Sequence, residues 1–278
     1  MKTDYCIFVI SHGKPENQTY RTLSERCHTQ IPVYIVIDDM DKKKDEYLAK
    51  YGEDKVLIFS KKEYAKKCDM MDNFDFDKVI IFARNACYDF AEKLGFKYFI
   101  EFDDDYVEFR FRFPGDPSMK LNDKFDRVID MYFDFYKKHP EVKSLAFMQG
   151  GDVSAVFLGQ VKRKVMNGIF ASTERRVVYN GRLNEDVNAY TQGNKIGEIF
   201  LSFHMVMLDQ LPTQTGGGMS DTYKAFGTYV KSFYSVMQNP SFIKIDVLCT
   251  SKKSWRMHHG IKFDKGCVQI ISSKYKKK

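Results

Sequence analysis

Short apolar runs punctuate the first hundred residues at 5–11, 32–37, 55–59 and 98–102, each rich in β-branched or aromatic side chains. Runs of that length and composition predict buried strands. Charged stretches of helical length lie between them, at 18–27, 43–51 and 85–94, and Gly95 ends the last one. This alternation implies an α/β chain whose parallel sheet carries helices on both faces. Ligands of such sheets sit beyond the carboxyl ends of the strands. The polar residues at those ends are Ser11-His12-Gly13, Asp38-Asp39 and Asp103-Asp104-Asp105. Three parallel strands would therefore bring them to one edge, at a site of nucleotide size.

The pattern changes after Asp105. A strand at 109–113 ends at Pro114-Gly115, an amphipathic helix at 123–138 precedes His139-Pro140, and a strand at 143–148 runs towards Gly150-Gly151. Segments 153–158, 177–179 and 198–207 read as strands, and a helix over 221–237 leads through Pro240 to a strand near 242–248. Residues 213–220 (Thr-Gln-Thr-Gly-Gly-Gly-Met-Ser) read as a flexible loop suited to a lid. With no internal repeat and no long linker, the 278 residues are expected to form one domain.

Composition narrows the function classes. No apolar run approaches the roughly 20 residues of a membrane span, and the run at 5–10 reads as a first strand and not as a secretion signal. The six cysteines lack any C-x-x-C pair, which suits reduced thiols of a cytoplasmic protein and argues against a zinc site built from them. A dinucleotide-binding G-x-G-x-x-G does not follow the first strand, and a phosphate-binding G-x-x-x-x-G-K-[ST] occurs nowhere. The net charge of +7 gathers in clusters at 42–44, 61–62, 66–67, 162–164, 175–176 and 274–278. Each cluster alone reads as a solvated face; together they leave room for a polyanionic partner.

The candidate chemistry is acidic. Three adjacent carboxylates at the end of a buried strand repel one another unless a cation sits among them. Strand alternation puts Asp103 and Asp105 on one face and Asp104 on the other, so the pair can aim at one divalent ion such as Mn²⁺ or Mg²⁺. Further on, Asn184-Glu185-Asp186 opens a helix, where acids are favoured by the helix dipole and where either Glu185 or Asp186 could serve as a base for an attacking hydroxyl. Near the C-terminus, His258-His259 offers imidazoles, and His258 could complete the shell of Asp103 and Asp105. His204 reads as a core residue, whereas His12 follows the first strand and lies near the expected nucleotide.

The segment Ala83-Arg84-Asn85, followed by a helix and then a hydrophobic strand into Asp103-x-Asp105, resembles the nucleotide-sugar glycosyltransferases of the GT-A fold. Asn184-Glu185-Asp186 looks like their x-Glu-Asp acceptor motif, which implies Asp186 as the base. That resemblance implies a Rossmann-like, mostly parallel sheet, with residues 1–105 as the half binding a nucleotide sugar, a UDP-sugar above all, and 106–278 as the half binding the acceptor. It also implies Ser11, His12, Asp38, Asp39, Arg84, Asn85 and Asp104 around the donor, and Asp103, Asp105 and His258 around the metal. Thr215-Gly-Gly-Gly-Met-Ser-Asp-Thr-Tyr223 and Lys231-Ser-Phe-Tyr234 are similar to the TET-associated glycosyltransferases of bacteriophages. This likeness implies a hydroxymethylated pyrimidine in viral DNA as the acceptor, in the host cytoplasm. An aromatic-Arg-x-Arg-Trp segment, frequent after the acceptor motif in such enzymes, is missing after Asp186. Rival readings are transfer to a glycan or protein, a metal-dependent nuclease, and a non-catalytic nucleic-acid-binding protein.

Overall fold

The computed structural model of the chain describes residues 3–74, 78–112, 119–149, 161–211, 230–249 and 255–268. Its first half contains β1 (Tyr5–Ile10), α1 (Gln18–Arg21) with a π-helical extension Thr22–Arg26, β2 (Val33–Asp38), α2 (Lys44–Tyr51), β3 (Val56–Phe59), α3 (Lys61–Lys67), α4 (Ile81–Leu94) and β4 (Tyr98–Asp103). There follow β5 (Tyr106–Phe111), α5 (Phe125–Lys138), β6 (Val142–Gln149), β7 (Val161–Lys162), β8 (Asn167–Ser172), α6 (Glu185–Lys195) and β9 (Ile199–Gln210). Helix α7 (Val230–Gln238), strands β10 (Ile243–Cys249) and β11 (Trp255–Ile261), and the turn α8 (Phe263–Gly266) complete the described elements.

Among the described residues, nine strands share one sheet in the order β3-β2-β1-β4-β8-β6-β9-β5, with β7 beside β9. The four strands of the first half are mutually parallel. Strand β8 runs antiparallel between β4 and β6, and β6 and β9 are parallel. The class is α/β, with the mixed, largely parallel sheet and flanking helices that a GT-A resemblance implies.

Alternation within β1 explains its unbroken apolar run. Cys6, Phe8 and Ile10 enter the core shared with α4, while Tyr5, Ile7 and Val9 enter the core shared with α5. A strand covered on both faces needs apolar residues at every position. Helix α5 buries Phe125, Val128, Ile129, Tyr132, Phe133 and Tyr136, a stripe at helical spacing that packs on the second face. Helix α4 ends where Gly95 takes a left-handed conformation at φ 79°, and Phe96 N–H donates back to the Ala91 carbonyl.

Several expectations need correction. Helix α4 starts at Ile81, four residues ahead of the expected 85, which places Arg84 and Asn85 inside it. Segment 177–179 forms no strand; the Val177 N–H donates to the Tyr88 hydroxyl, and the Tyr179 N–H and carbonyl pair with the Asn85 side chain instead of a ladder. The central strand β8 and the basic helix α3 were not anticipated. Of the other expectations, Pro114-Gly115, Gly150-Gly151, 153–158, the loop 213–220, residues 221–229 of the expected helix and the basic tail 274–278 lie outside the described residues.

Candidate active site

Parallel pairing brings the three polar strand ends together. Ile10 is level with Val36 of β2 on one side and Asp103 of β4 on the other. Ser11 Oγ donates to Asp104 Oδ2 at 2.8 Å, and Lys14 Nζ reaches Asp104 Oδ1 at 2.9 Å. His12 Nδ1 lies 2.8 Å from Asp38 Oδ2 and 3.6 Å from Asp41 Oδ2. The hydrogen bond that His12 makes to the Asp38 carboxylate raises the His12 pKa above its ordinary value. Burial pushes Asp38 upward, yet the bond and charge of His12 outweigh it and leave that carboxyl below the usual range. Asp39 is exposed, and its Oδ1 accepts the Lys61 N–H at the start of α3.

The acid turn between β4 and β5 is fixed from beneath. Asn17 caps α1 by accepting the Tyr20 N–H, and Thr19 Oγ1 both donates to the Asp103 carbonyl and accepts the Tyr106 N–H. Thr22 Oγ1 donates to the Tyr106 carbonyl. These bonds hold the backbone that presents Asp103, Asp104 and Asp105. Asp105 is pushed up to about 7, by burial first and then by the charges of Asp103 and Asp104. Among the described residues no side-chain cation comes within ion-pair distance of it.

Arg84 is the centre of the arrangement. It is only 3% exposed, and its Nη1 meets Glu101 Oε2 at 3.2 Å, its Nη2 meets Asp103 Oδ1 at 3.2 Å and its Nε meets Glu185 Oε1 at 2.9 Å. Burial alone would lower its pKa, but the three carboxylates hold the guanidinium charged. Burial also pushes Glu101 up to about 8. One guanidinium thus joins the acid turn of β4 to the first residue of α6. All three nitrogen positions of Arg84 are directed at acids of the protein. Asn85 is likewise internal: its Nδ2 donates to the Ile81 and Tyr179 carbonyls.

Helix α6 is preceded by Asn184, whose φ of 55° is a left-handed conformation that asparagine tolerates better than most residues. Its Nδ2 donates to the Lys231 carbonyl at 2.7 Å and to Ser235 Oγ at 3.1 Å, and it lies 3.3 Å from His259 Nδ1. Glu185 turns inward to Arg84. Asp186 keeps one oxygen on the Val187 N–H, and burial together with the Glu185 charge pushes it up to about 7. The two neighbours therefore differ in surroundings: Glu185 is held by Arg84, whereas Asp186 has no ion pair among the described residues.

Of the terminal histidines, His259 is the one turned towards this site. His258 pairs with Asp246 across the hairpin, on the face opposite to His259. Among the described residues no three histidine, cysteine or acidic side chains gather as a metal shell. The acid turn still suits a hard cation, since Asp105 carries a carboxylate whose ionisation is opposed by two acidic neighbours. Such cations are commonly held by one or two carboxylates plus substrate phosphates, without a full protein cage. Lys14 and Thr19 escaped the sequence reading, which singled out His258 from the histidine pair where the structure turns His259 inward; a Gly-Lys after the first strand was the available signal for Lys14.

A family model described as TET-Associated Glycosyltransferase matches residues 5–218. Two solved structures of glucosyl-3-phosphoglycerate synthase from Mycobacterium tuberculosis are similar over 92% of this chain. One, in complex with Mn²⁺, UDP and phosphoglyceric acid, has 10% sequence identity, a TM-score of 0.47 and 86% of its own chain covered. The other, with Mn²⁺ and UDP-glucose, has 8% identity, a TM-score of 0.49 and 86% covered. Among curated proteins, none matches.

Proposed function

The chain belongs to the TET-associated glycosyltransferase family, and on that premise we propose that it moves a sugar from a nucleotide-sugar donor, a UDP-sugar, to the hydroxyl of a 5-hydroxymethylpyrimidine in DNA. The observation that carries this reading is the Arg84 junction. It ties Asp103 at the donor-side strand end to Glu185, the residue next to Asp186. Donor chemistry and acceptor chemistry then share one rigid frame.

The donor lies across the ends of β1, β2 and β4. Asp38, held by His12, faces the ribose, and Lys14 offers its ammonium to the donor's phosphates from its place on Asp104. Asp103 and Asp105 are the residues that would hold Mn²⁺ or Mg²⁺; when bound, such an ion acts as a Lewis acid that neutralises charge on the departing diphosphate. Asp186 takes the proton of the acceptor hydroxyl on the oxygen not engaged by Val187. The hydroxyl oxygen forms the new bond to the anomeric carbon as the bond from that carbon to the diphosphate breaks. A base with a pKa near the working pH suits this step. Free thiols at all six cysteines fit a cytoplasmic site of action, and no helix among the described residues is long and apolar enough to cross a membrane.

The test is transfer and donor binding measured side by side in Asp186→Asn. Lost transfer with retained donor affinity is expected. Transfer at the wild-type rate would remove Asp186 from the reaction.

A further inference from the structure

The hairpin of β10 and β11 leaves an apolar surface that the chemistry above does not use. Its register pairs Ile243 with Ile261, Ile245 with His259, Val247 with Met257 and Cys249 with Trp255. Directly opposed residues of an antiparallel pair share a face. That face is buried at its base, where Ile243 is 1% and His259 8% exposed. Towards the tip it opens, with Met257 48%, Val247 60% and Trp255 72% exposed. Single exposed apolar residues are ordinary, whereas a contiguous strip marks an interaction surface.

Two observations say what covers it. The strip is continuous with the candidate site, because His259 on the same face meets Asn184, the residue that opens the Asp186 helix. Trp255 stands four positions before His259 on the strand, a reach of about 13 Å. The hairpin is also basic in sequence: Lys252 and Lys253 stand between its two strands, and Lys262 and Lys265 follow the second against Asp264, whereas Lys244 on the opposite face is paired with Asp246 at 2.9 Å. A protein partner matching an apolar strip would not need that excess, whereas a polyanion with flat apolar bases fits both features.

We propose that this hairpin face docks the acceptor polynucleotide, with Trp255 stacking on a base of an unpaired strand adjoining the nucleotide that enters the site. The proposal rests on the reading of the chain as a DNA-directed glycosyltransferase and names the surface that holds the DNA. An enzyme that modifies a base must take it out of the stack, so an aromatic face for a neighbouring unstacked base has a clear use.

Trp255 is the one tryptophan of the chain, which makes its emission a report from this surface alone. The experiment titrates the full-length protein with single-stranded DNA containing hydroxymethylcytosine, following tryptophan emission and, with labelled DNA, anisotropy. Saturable quenching is expected, weakening as salt rises, together with at least a fivefold loss of DNA affinity in Trp255→Ala. Anisotropy reporting binding while the emission stays constant would overturn the proposal. So would an emission shift that depends on protein concentration without DNA, since that assigns the strip to a second copy of the chain. Hydrolysis of nucleotide sugars, measured in the same preparation without DNA, reads the glycosyltransferase assignment separately, so the two can fail independently.

Discussion

Asp186 and Glu185 are adjacent acids with different surroundings, and that difference is the basis of the chemistry assigned to them. Glu185 is bound by Arg84, while Asp186 is pushed up to about 7 by burial and by Glu185 itself. A base acts in its ionised form, so kcat/KM for transfer should rise as pH passes upward through about 7 and then level off. A pH–rate profile checks this; a flat profile between about pH 5 and 8 would contradict it. In Asp186→Asn, transfer should fall by about 10²–10⁴-fold with donor affinity preserved, as measured by kinetics and by donor titration. The Glu-Asp pair was legible in sequence because it stands at a helix start. Which histidine turns inward was not, because a shift of one residue along a strand exchanges the two faces. The choice between His258 and His259 therefore depended on the hairpin register.

At the scale of elements, Arg84 joins α4, β4 and α6. Its removal leaves buried acids without their cation, so Arg84→Met should lower stability by about 3–5 kcal/mol in urea unfolding. Arg84→Lys keeps the charge but lacks the planar fork that serves three carboxylates, and its stability should fall between wild type and Arg84→Met. No sequence signal announced this junction, since its ion pairs join residues far apart along the chain. Strands β1 to β3 were legible as apolar runs, and β4 because only Glu101 interrupts its run before the terminal acids. Strand β8 (Asn-Gly-Ile-Phe-Ala-Ser) was not, because Asn167, Gly168 and Ser172 interrupt the pattern although every position is buried. Gly168 has a φ of 60°, and a Cβ there would stand 2.7 Å from the Phe147 ring and 3.0 Å from Phe102. Helix α3 hides behind its lysines, with Tyr64 as its buried anchor. The apolar trio 177–179 misled in the opposite direction: Val178 is exposed, and the backbone of Val177 and Tyr179 pairs with the Tyr88 and Asn85 side chains, not with a ladder.

For the whole molecule, the raised acids link folding to pH. Glu101, Asp105 and Asp186 bind protons more tightly in the folded chain than in the unfolded one, where carboxyls titrate near 4. The folded state therefore holds more protons between about pH 4 and 8, and stability declines as pH rises through that window. His12, also raised, contributes with the same sign. Urea unfolding of the metal-free protein should thus give a higher midpoint near about pH 5 than near about pH 8. Mn²⁺ with UDP should reduce that difference, because a cation beside Asp105 favours its ionised form. An equal midpoint across the range would contradict the burial of these charges.

The central claim is that the carboxylates closing β4 form the donor site. Release of the nucleoside diphosphate from a panel of nucleotide sugars, with Mn²⁺ and hydroxymethylated DNA present, measures it most directly when wild type is set against the double variant Asp103→Asn with Asp105→Asn. The account predicts turnover of at least one donor by wild type and its loss by orders of magnitude in the double variant. Equal turnover by the two proteins would contradict it.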